Sequence, residues 1–291
     1  MPELPEVEVV RLRLRSVVVN RRIAEIQTAR ANYAFLTAPA RLRSKLQGRR
    51  IMEIERQGKY LLFLLDDHSR LLVHLGMTGQ LFTSHAVSPR LYNKQSRAGL
   101  AHTPAQVFVP DKHTHLSISF SDRGEQLHFR DTRKFGKLLW LAEGRSDPRL
   151  ERLGVDALSI TPEHLGISSK RRRIAIKSLL LDQSVLAGVG NIYADEALYQ
   201  ARLLPQRSAA SLRPEETRVL ARTVRKVLKR AIRLGGSSID DYVQPDGSDG
   251  QFQNTFTVYG REGEPCHCCR GPIVRVVIGQ RSSHFCPSCQ K

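Results

Sequence analysis

The chain has no hydrophobic run that approaches the roughly 18 residues of a membrane-spanning helix, and it is short of acidic residues. Asp and Glu number 28 against 46 Lys and Arg, which gives a formal net charge of +18. The first residues are acidic, unlike the basic start of a signal peptide. These features predict a cytoplasmic protein with no membrane partner. The basic excess favours a polyanionic partner, nucleic acid before an acidic membrane.

At 291 residues the chain is long enough for about two domains. Alternating or densely apolar runs predict antiparallel strands within residues 1–141, and residues 84–114 are predicted as long loops between strands. Helical spacing takes over later in the chain. We therefore predict an α+β protein in which a β-sandwich flanked by helices (1–141) and a linker (142–154) precede a helical domain (155–251) and a C-terminal segment (252–291). The predicted strand runs are 60–65, 71–75, 115–120 and 126–129.

Apolar residues at helical spacing predict amphipathic helices on both sides of the linker, the first of them over 5–18. The clearest one spans 214–234 and ends at Gly235 and Gly236. A basic helix is predicted over 170–181, and Asn191 is predicted to cap a helix that follows it. Residues 237–250 are rich in Gly, Ser and Asp and predict a flexible loop.

The first eight residues, MPELPEVE, allow two interpretations. Removal of Met1 would expose Pro2 as a secondary amine, which can attack electrophilic carbon and form a Schiff base. An α-amino group titrates roughly 2 to 3 units below a lysine side chain, so more of it is neutral at pH 7. Glu3 would then be an adjacent proton donor. Alternatively, Pro5 and the early glutamates simply begin a helix.

The cysteines form two CxxC pairs separated by a spacer of hairpin length. Two such pairs can direct four thiolates at one tetrahedral ion, so the spacing predicts a structural zinc ribbon. An iron–sulfur cluster is the alternative metal centre. Cys268 could exchange with its neighbour as a ligand, and His267 and His284 are rival ligands. The predicted ligands are Cys266, Cys269, Cys286 and Cys289.

Five ordered segments resemble one protein family over essentially the whole chain. The segments are MPELPEVE, HLGMTG at 74–79, DTRKFG at 131–136, GVGNIYADEAL at 188–198 and the four-cysteine ribbon. This pattern is similar to formamidopyrimidine-DNA glycosylase, a bacterial base-excision repair enzyme that removes oxidised purines. The resemblance implies a C-terminal helix–two-turn–helix domain, with a loop at 237–251 that closes over the lesion, followed by a zinc hairpin. It also makes damaged double-stranded DNA the expected partner of a monomer.

The resemblance also implies catalytic roles for residues near the N-terminus. Pro2 would attack C1′ of the damaged nucleoside, Glu3 would protonate the sugar ring oxygen, and Glu6 would hold the local hydrogen-bond network. Elimination at the resulting imine would then cut the strand, without a nucleotide or redox cofactor. Lys59 would bind a phosphate close to the attacked sugar. Without the resemblance, Lys59 is a solvated cation at the start of a strand.

Base chemistry on a duplex requires the nucleotide to be everted, and the resemblance implies which side chains take its place. Phe135 would be an apolar wedge beside Met77, with Arg133 facing the orphaned base. By residue type alone, Met77 and Phe135 are predicted as core residues. Lys134 and Thr132 depart from the family pattern of Arg and Pro, which weakens any phosphate contact of Lys134. The other predicted phosphate ligands are His74, Asn191 and Arg281.

Two other functions remain open from the sequence. The same machinery could act on oxidised pyrimidines, as in the related endonuclease VIII. A non-catalytic zinc-ribbon DNA-binding protein is the third hypothesis, although such a protein has no need of Pro2, Glu3 and Lys59 together.

Overall fold

A computed structural model describes residues 2–31, 33–90 and 106–291. The chain folds into two compact units. The first comprises the chain up to Pro148 together with Leu234–Gln253, and the second comprises Arg149–Arg233 together with Asn254–Lys291. The structure thus places 234–253 with the N-terminal unit, whereas the sequence groups residues up to 251 with the helical domain.

The first unit is built on two four-stranded antiparallel sheets, which confirms the predicted β-sandwich. The strand orders are β1-β8-β9-β5 and β10-β4-β3-β2, and β6 and β7 form a separate short ribbon. Residues 91–105, part of the predicted long loops, lie outside the described residues. The strands are Ile23–Thr28 (β1), Ile51–Gln57 (β2), Tyr60–Leu65 (β3), Arg70–His74 (β4), Gly79–Thr83 (β5), Val87–Ser88 (β6), Gln106–Val107 (β7), Thr114–Phe120 (β8), Leu127–Asp131 (β9) and Lys137–Leu141 (β10).

Helix α1 (Leu4–Val18) and helix α2 (Pro39–Leu46) accompany these sheets. The apolar positions of α1, among them Val10 and Leu14, are buried in one cluster with residues of both sheets, such as Phe63 and Phe129. Each fully buried side chain of this size stabilises the fold by about 1.5–3 kcal/mol. The predicted amphipathic N-terminal helix is therefore confirmed, and it packs against the sandwich core.

The second unit is mainly helical. Its longest helix has a buried apolar face, as the sequence predicts. Two strand pairs accompany the helices: a short parallel pair and an antiparallel hairpin near the C-terminus. The elements that follow β10 are Pro148–Glu151 (α3, which begins at the end of the first unit), Val155–Asp156 (β11), Pro162–Ser169 (α4), Ile176–Leu181 (α5), Leu186–Ala187 (β12), Asn191–Gln200 (α6), Pro214–Arg233 (α7), Val274–Ile278 (β13) and Arg281–Phe285 (β14).

Two local predictions were wrong in this unit. The basic helix predicted over 170–181 begins only at Ile176: Arg171 has a left-handed backbone (φ 61°), and Ala175 forms a strand-like bridge with Ser208. Asn191 is the first residue of α6 rather than its cap, which is Gly190 in an extended conformation. In the described part of the chain, no helix combines the length and apolar character needed to cross a membrane.

Candidate active site and nucleic-acid interface

The N-terminus of α1 is a buried hydrogen-bonded turn. Pro2 is buried, and Glu3 and Glu6 are each only 2% exposed. The amide of Glu3 donates to Oε2 of Glu6 at 2.8 Å, and the Glu3 side chain accepts from the amide of Glu6. This reciprocal pair is a capping box. The predicted helix start is therefore present, and it fixes the carboxyl group of Glu3, the residue that follows Pro2. Met1 lies outside the described residues.

Glu6 also connects this turn to the segment that follows α7. Its Oε1 accepts from the amide of Ser237 at 2.8 Å. Tyr242 is buried nearby, and burial, reinforced by the Glu6 carboxylate, raises the pKa of its hydroxyl well above the usual value. The segment predicted as a flexible loop is thus hydrogen-bonded to the candidate catalytic turn.

Lys59 lies in the tight turn between β2 and β3, where Gly58 has a positive φ of 58°. The side chain is half-buried. On the same hairpin, Arg56 donates to Glu8 of α1 at 2.7 Å, so the second turn of α1 is attached three residues before Lys59. Burial opposes ionisation of Glu8, but Arg11 and Arg56 hold the pKa of its carboxyl below the usual value. The hairpin that carries Lys59, the predicted phosphate ligand, is therefore anchored to α1.

His74 ends β4 and begins the turn that carries Met77. The ring centroids of His74 and Tyr60 lie 4.6 Å apart, and the Nδ1 atom of His74 accepts from the amide of Gly76 at 3.3 Å. Gly76 has a φ of 62°, and a Cβ there would lie 2.5 Å from the backbone nitrogen of Gly136. Only glycine allows the two turns, 75–79 and 131–136, to approach this closely.

Asp131 organises both turns, and it is a residue to which the sequence assigned no role of its own. Its buried carboxylate accepts from the amides of Arg133 and Gly136 at 3.1 and 2.7 Å, and it also accepts from the hydroxyl of Thr78. Aspartate often begins a turn and accepts hydrogen bonds from the amides that follow it. The position of Asp131 at the start of DTRKFG could therefore have indicated this role. The DTRKFG motif thus begins with the acceptor that shapes it.

The predicted wedge residues are exposed at these turns. Met77 is 37% exposed and Phe135 is 49% exposed, so the prediction of core positions from residue type alone was wrong. The guanidinium carbon of Arg133 lies 4.8 Å from the ring centroid of Phe135. Lys134 is exposed and has a left-handed backbone with a φ of 60°. An apolar ring and a guanidinium at an exposed tip suit insertion into a base stack.

The second unit brings Asn191 close to the hairpin that carries Arg281. The Nδ2 atom of Asn191 lies 3.4 Å from the hydroxyl of Ser282, the residue next to Arg281. Arg281 itself is exposed at the start of β14. Because Asn191 is the first residue of α6, its end of the helix also carries the positive pole of the helix dipole. These features form a candidate phosphate-binding surface.

Buried charges attach this hairpin to helices α5 and α6. Lys177, which is fully buried, lies 2.6 Å from Oδ1 of Asp195 and donates to the carbonyl of Ser282 at 2.6 Å. Asp195 in turn accepts from the amide of His284 at 2.9 Å. The neighbouring Glu196 accepts from the amides of residues 257–259. The sequence did not identify these roles, although adjacent acidic residues within a largely apolar helix are an unusual composition.

The four predicted metal ligands lie together. Their sulfur atoms all lie within 4.8 Å of one another, with Cys269 and Cys286 at 3.4 Å and Cys266 and Cys289 at 3.9 Å. Four thiols at this spacing fit the tetrahedral, all-sulfur coordination of a structural zinc site, which leaves no position for a reactive water.

The rival ligands take other positions. Cys268 is exposed and outside the group, and His284 pairs with Asp195. The hydroxyl of Tyr199 lies 3.2 Å from the sulfur of Cys266. Burial raises the pKa of Cys266, but the bonds from Tyr199 and from backbone amides outweigh it and lower the pKa to about 6. This environment favours the thiolate, the form that binds metal.

Comparison with known protein families matches the chain along most of its length. The formamidopyrimidine-DNA glycosylase N-terminal domain matches residues 1–138, and the H2TH domain of the same enzymes matches 153–243. A zinc finger found in FPG and IleRS matches 263–291. The chain belongs to the formamidopyrimidine-DNA glycosylase family. The family resemblance and the two-domain α+β fold predicted from the sequence are therefore confirmed.

Individual relatives are similar over their full length. A formamidopyrimidine-DNA glycosylase of Thermus thermophilus is 43% identical, with 100% of this chain and 98% of the relative covered. The Lactococcus lactis FPG in complex with DNA containing FAPY-dG is 32% identical with a TM-score of 0.83, covering 99% and 100% of the two chains. A second structure of the Lactococcus enzyme, with DNA containing an oxidised pyrimidine, has the same identity and TM-score and covers 100% of both.

Proposed function

We propose that the protein is a bifunctional DNA glycosylase and abasic-site lyase that excises oxidised purines, 8-oxoguanine and formamidopyrimidines, from duplex DNA. The observation that carries this proposal is the buried turn directly after Pro2, in a chain of this family. In this turn Glu3 and Glu6 form a reciprocal pair of hydrogen bonds. A secondary amine beside a fixed carboxyl group is suited to covalent catalysis with proton transfer.

The mechanism begins with the neutral amine of Pro2. Its nitrogen forms a bond to C1′ as the bond from C1′ to the damaged base breaks, and the base leaves with the electron pair and takes up the N–H proton that the amine loses. Protonation of the ring oxygen by Glu3 accompanies this displacement, opens the sugar and leaves an iminium ion, so that release of the base depends on the Glu3 proton. The iminium acidifies the C2′ proton, so successive β- and δ-elimination release the two phosphates. No step requires a nucleotide or redox cofactor.

DNA recognition in this proposal combines a wedge with phosphate contacts. Eversion of the nucleotide costs a few kcal/mol of free energy. Insertion of Phe135, Met77 and Arg133 into the vacated stack offsets that cost. Phosphate contacts position the duplex without reading its sequence. The proposed phosphate ligands are Lys59, His74, Asn191 and Arg281, with a weaker contact from Lys134.

One structural zinc ion would be held by Cys266, Cys269, Cys286 and Cys289. A zinc ion bound in this way supplies rigidity rather than chemistry, because all its ligands come from the protein. It would fix the β13–β14 hairpin and so the direction of Arg281. The formal charge of +18 supports DNA as the partner. We propose that the protein acts on DNA as a monomer in the cytoplasm.

A second candidate substrate is an oxidised pyrimidine, because the DNA bound by one Lactococcus relative contains such a lesion. Excision assays on an 8-oxoguanine:cytosine duplex and on an oxidised-pyrimidine duplex separate the two. Faster excision of 8-oxoguanine is expected. Faster excision of the pyrimidine would move the protein to the endonuclease VIII type of activity, and tight binding without excision of either would leave a non-catalytic DNA-binding protein.

The role of Glu3 has its own test. Glu3→Gln removes the proton donor, and general acid catalysis contributes about 10²–10⁴-fold. Base excision should therefore fall by that factor, while cleavage at a preformed abasic site persists, because its sugar already opens to an aldehyde. An equal loss of both activities would contradict the assignment.

A further inference from the structure

Arg90 is a buried arginine whose contacts converge on one distant segment of the first unit. Its side chain is only 1% exposed. Its Nε donates to the two carboxylate oxygens of Asp249 at 2.9 and 3.2 Å. Its Nη1 donates to the carbonyls of Ile239 and Asp240 at 3.3 and 3.0 Å. A buried charge is tolerated only with partners of this kind.

All these acceptors lie in residues 237–250, which we call the connecting segment. Arg90 holds the segment near both of its ends, at 239–240 and at 249. Its middle is attached by backbone bonds, from the amide of Thr83 to Pro245 and from the amide of Val87 to Asp246, at 3.0 and 2.9 Å. The guanidinium therefore joins the two ends of the segment, as does the hydroxyl of Ser238, which accepts from the amide of Gly250 at 2.8 Å.

The beginning of the connecting segment leads directly to the catalytic turn. Ser237, two residues before the first carbonyl bound by Arg90, donates its amide to Oε1 of Glu6, whose Oε2 accepts from the amide of Glu3. A displacement at 239–240 therefore reaches the Glu3–Glu6 pair through two backbone steps and two hydrogen bonds.

We propose that Arg90 is a positioning residue for base excision: it fixes the connecting segment, and through Ser237 it fixes the Glu6 carboxylate that orients Glu3. This inference rests on the proposed function. Because Arg90 acts through Glu3, its loss affects the step that needs the Glu3 proton. Cleavage of an abasic site, whose sugar opens without that proton, depends on Arg90 much less.

The test is the ratio of two single-turnover rates, excision of 8-oxoguanine and cleavage of an abasic site, in Arg90→Met. Misplacement of a catalytic group by about 1 Å reduces a rate by about 100-fold. We expect excision to fall by about 10- to 100-fold and abasic-site cleavage to change little. Equal reductions of both rates, or an unchanged excision rate, would overturn the proposal.

Arg21 provides a matched control in the same unit. It also makes a two-point contact with a carboxylate, Asp122 at 2.7 and 2.6 Å, and donates to two carbonyls, those of Val17 and Glu125. None of these acceptors belongs to the connecting segment. Arg21→Met should leave the ratio of the two rates at the wild-type value. A ratio that falls as far as in Arg90→Met would show a general effect of weakened packing, and the proposal would fail.

Milder variants protect the test against misfolding. Arg90→Lys keeps a charge near Asp249 but cannot reach the two carbonyls and the carboxylate together. Asp249→Asn removes the negative charge and one of the two acceptor oxygens but leaves the carbonyl contacts in place. Both should lower the ratio less than Arg90→Met, and amide hydrogen exchange at Ser237 should accelerate in the same order. An unchanged exchange rate at Ser237 in a variant with a lowered ratio would refute the route through Glu6. A wild-type protein inactive on both duplexes would instead refute the proposed function.

Discussion

The two units fix their functional side chains in different ways. In the first, exposed turns project from a sandwich whose large apolar core includes both sheets and α1. In the second, the β13–β14 hairpin is attached by a group of four thiols and by buried charges, with a small apolar cluster around Cys266 and Cys286. Apolar burial is distributed over many contacts, whereas a thiol site or a buried ion pair fails when one partner is lost. The hairpin should therefore be the more vulnerable region to single substitutions.

The largest expected difference between the units concerns the metal. Structural zinc sites contribute about 10–16 kcal/mol of apparent binding free energy in small domains. Cys286→Ser should therefore lose the bound zinc and DNA binding while the first unit stays folded. Metal analysis measures the loss of zinc. The fluorescence of Trp140, the single tryptophan, which lies on β10, reports whether the first unit stays folded. The control is Cys268→Ser, which should retain zinc; loss of zinc from this control alone would reverse the ligand assignment.

The next effect concerns the buried pair of Lys177 and Asp195. Lys177→Met leaves the Asp195 carboxylate buried without its cation, and removal of one partner of a buried pair destabilises by about 3–5 kcal/mol. Urea unfolding followed by helical circular dichroism should shift to lower urea, while the unfolding midpoint of Trp140 fluorescence stays in place. The double variant Lys177→Met with Asp195→Leu should recover part of the loss. Coincident shifts in both signals would show that the units do not unfold independently.

The smallest effect on stability is expected at the wedge. Phe135→Ala changes an exposed side chain and should alter the free energy of unfolding by less than about 0.5 kcal/mol, whereas Phe129→Ala, in the core of the same unit, should cost about 3–5 kcal/mol. Excision from a paired duplex should nevertheless fall in Phe135→Ala, because the everted nucleotide loses its replacement in the stack. Wild-type excision by Phe135→Ala would exclude the wedge role.

The sequence predicted those parts of the fold that depend on local patterns. Alternation in 115–120 and helical spacing in 5–18 and 214–234 correspond to β8, α1 and α7, because one face of each element is buried. The CxxC spacing likewise predicted the cysteine group, since ligand geometry limits the spacing. Residue type predicted that Met77 and Phe135 are buried in the core. Only the family resemblance predicted that they are exposed.

The polar contacts that position the candidate sites join residues that are far apart in the chain. Lys177 with Ser282 and Arg90 with Asp249 have no periodicity that a single sequence reveals. The first part of the helix predicted over 170–181 failed for a related reason: the strand-like bridge from Ala175 to Ser208 is a tertiary contact that overrides local propensity. The polar contacts that position the candidate sites were therefore the least predictable.

The most direct test of Pro2 as the nucleophile is borohydride trapping on an 8-oxoguanine:cytosine duplex, with the covalent adduct mapped by peptide mass analysis. We expect an adduct at the amine of Pro2. It should be lost in Pro2→Ala and in protein that retains Met1, and the Lys59→Gln variant should still form it. An adduct that maps to Lys59 and survives Pro2→Ala would contradict the assignment of Pro2 as the nucleophile.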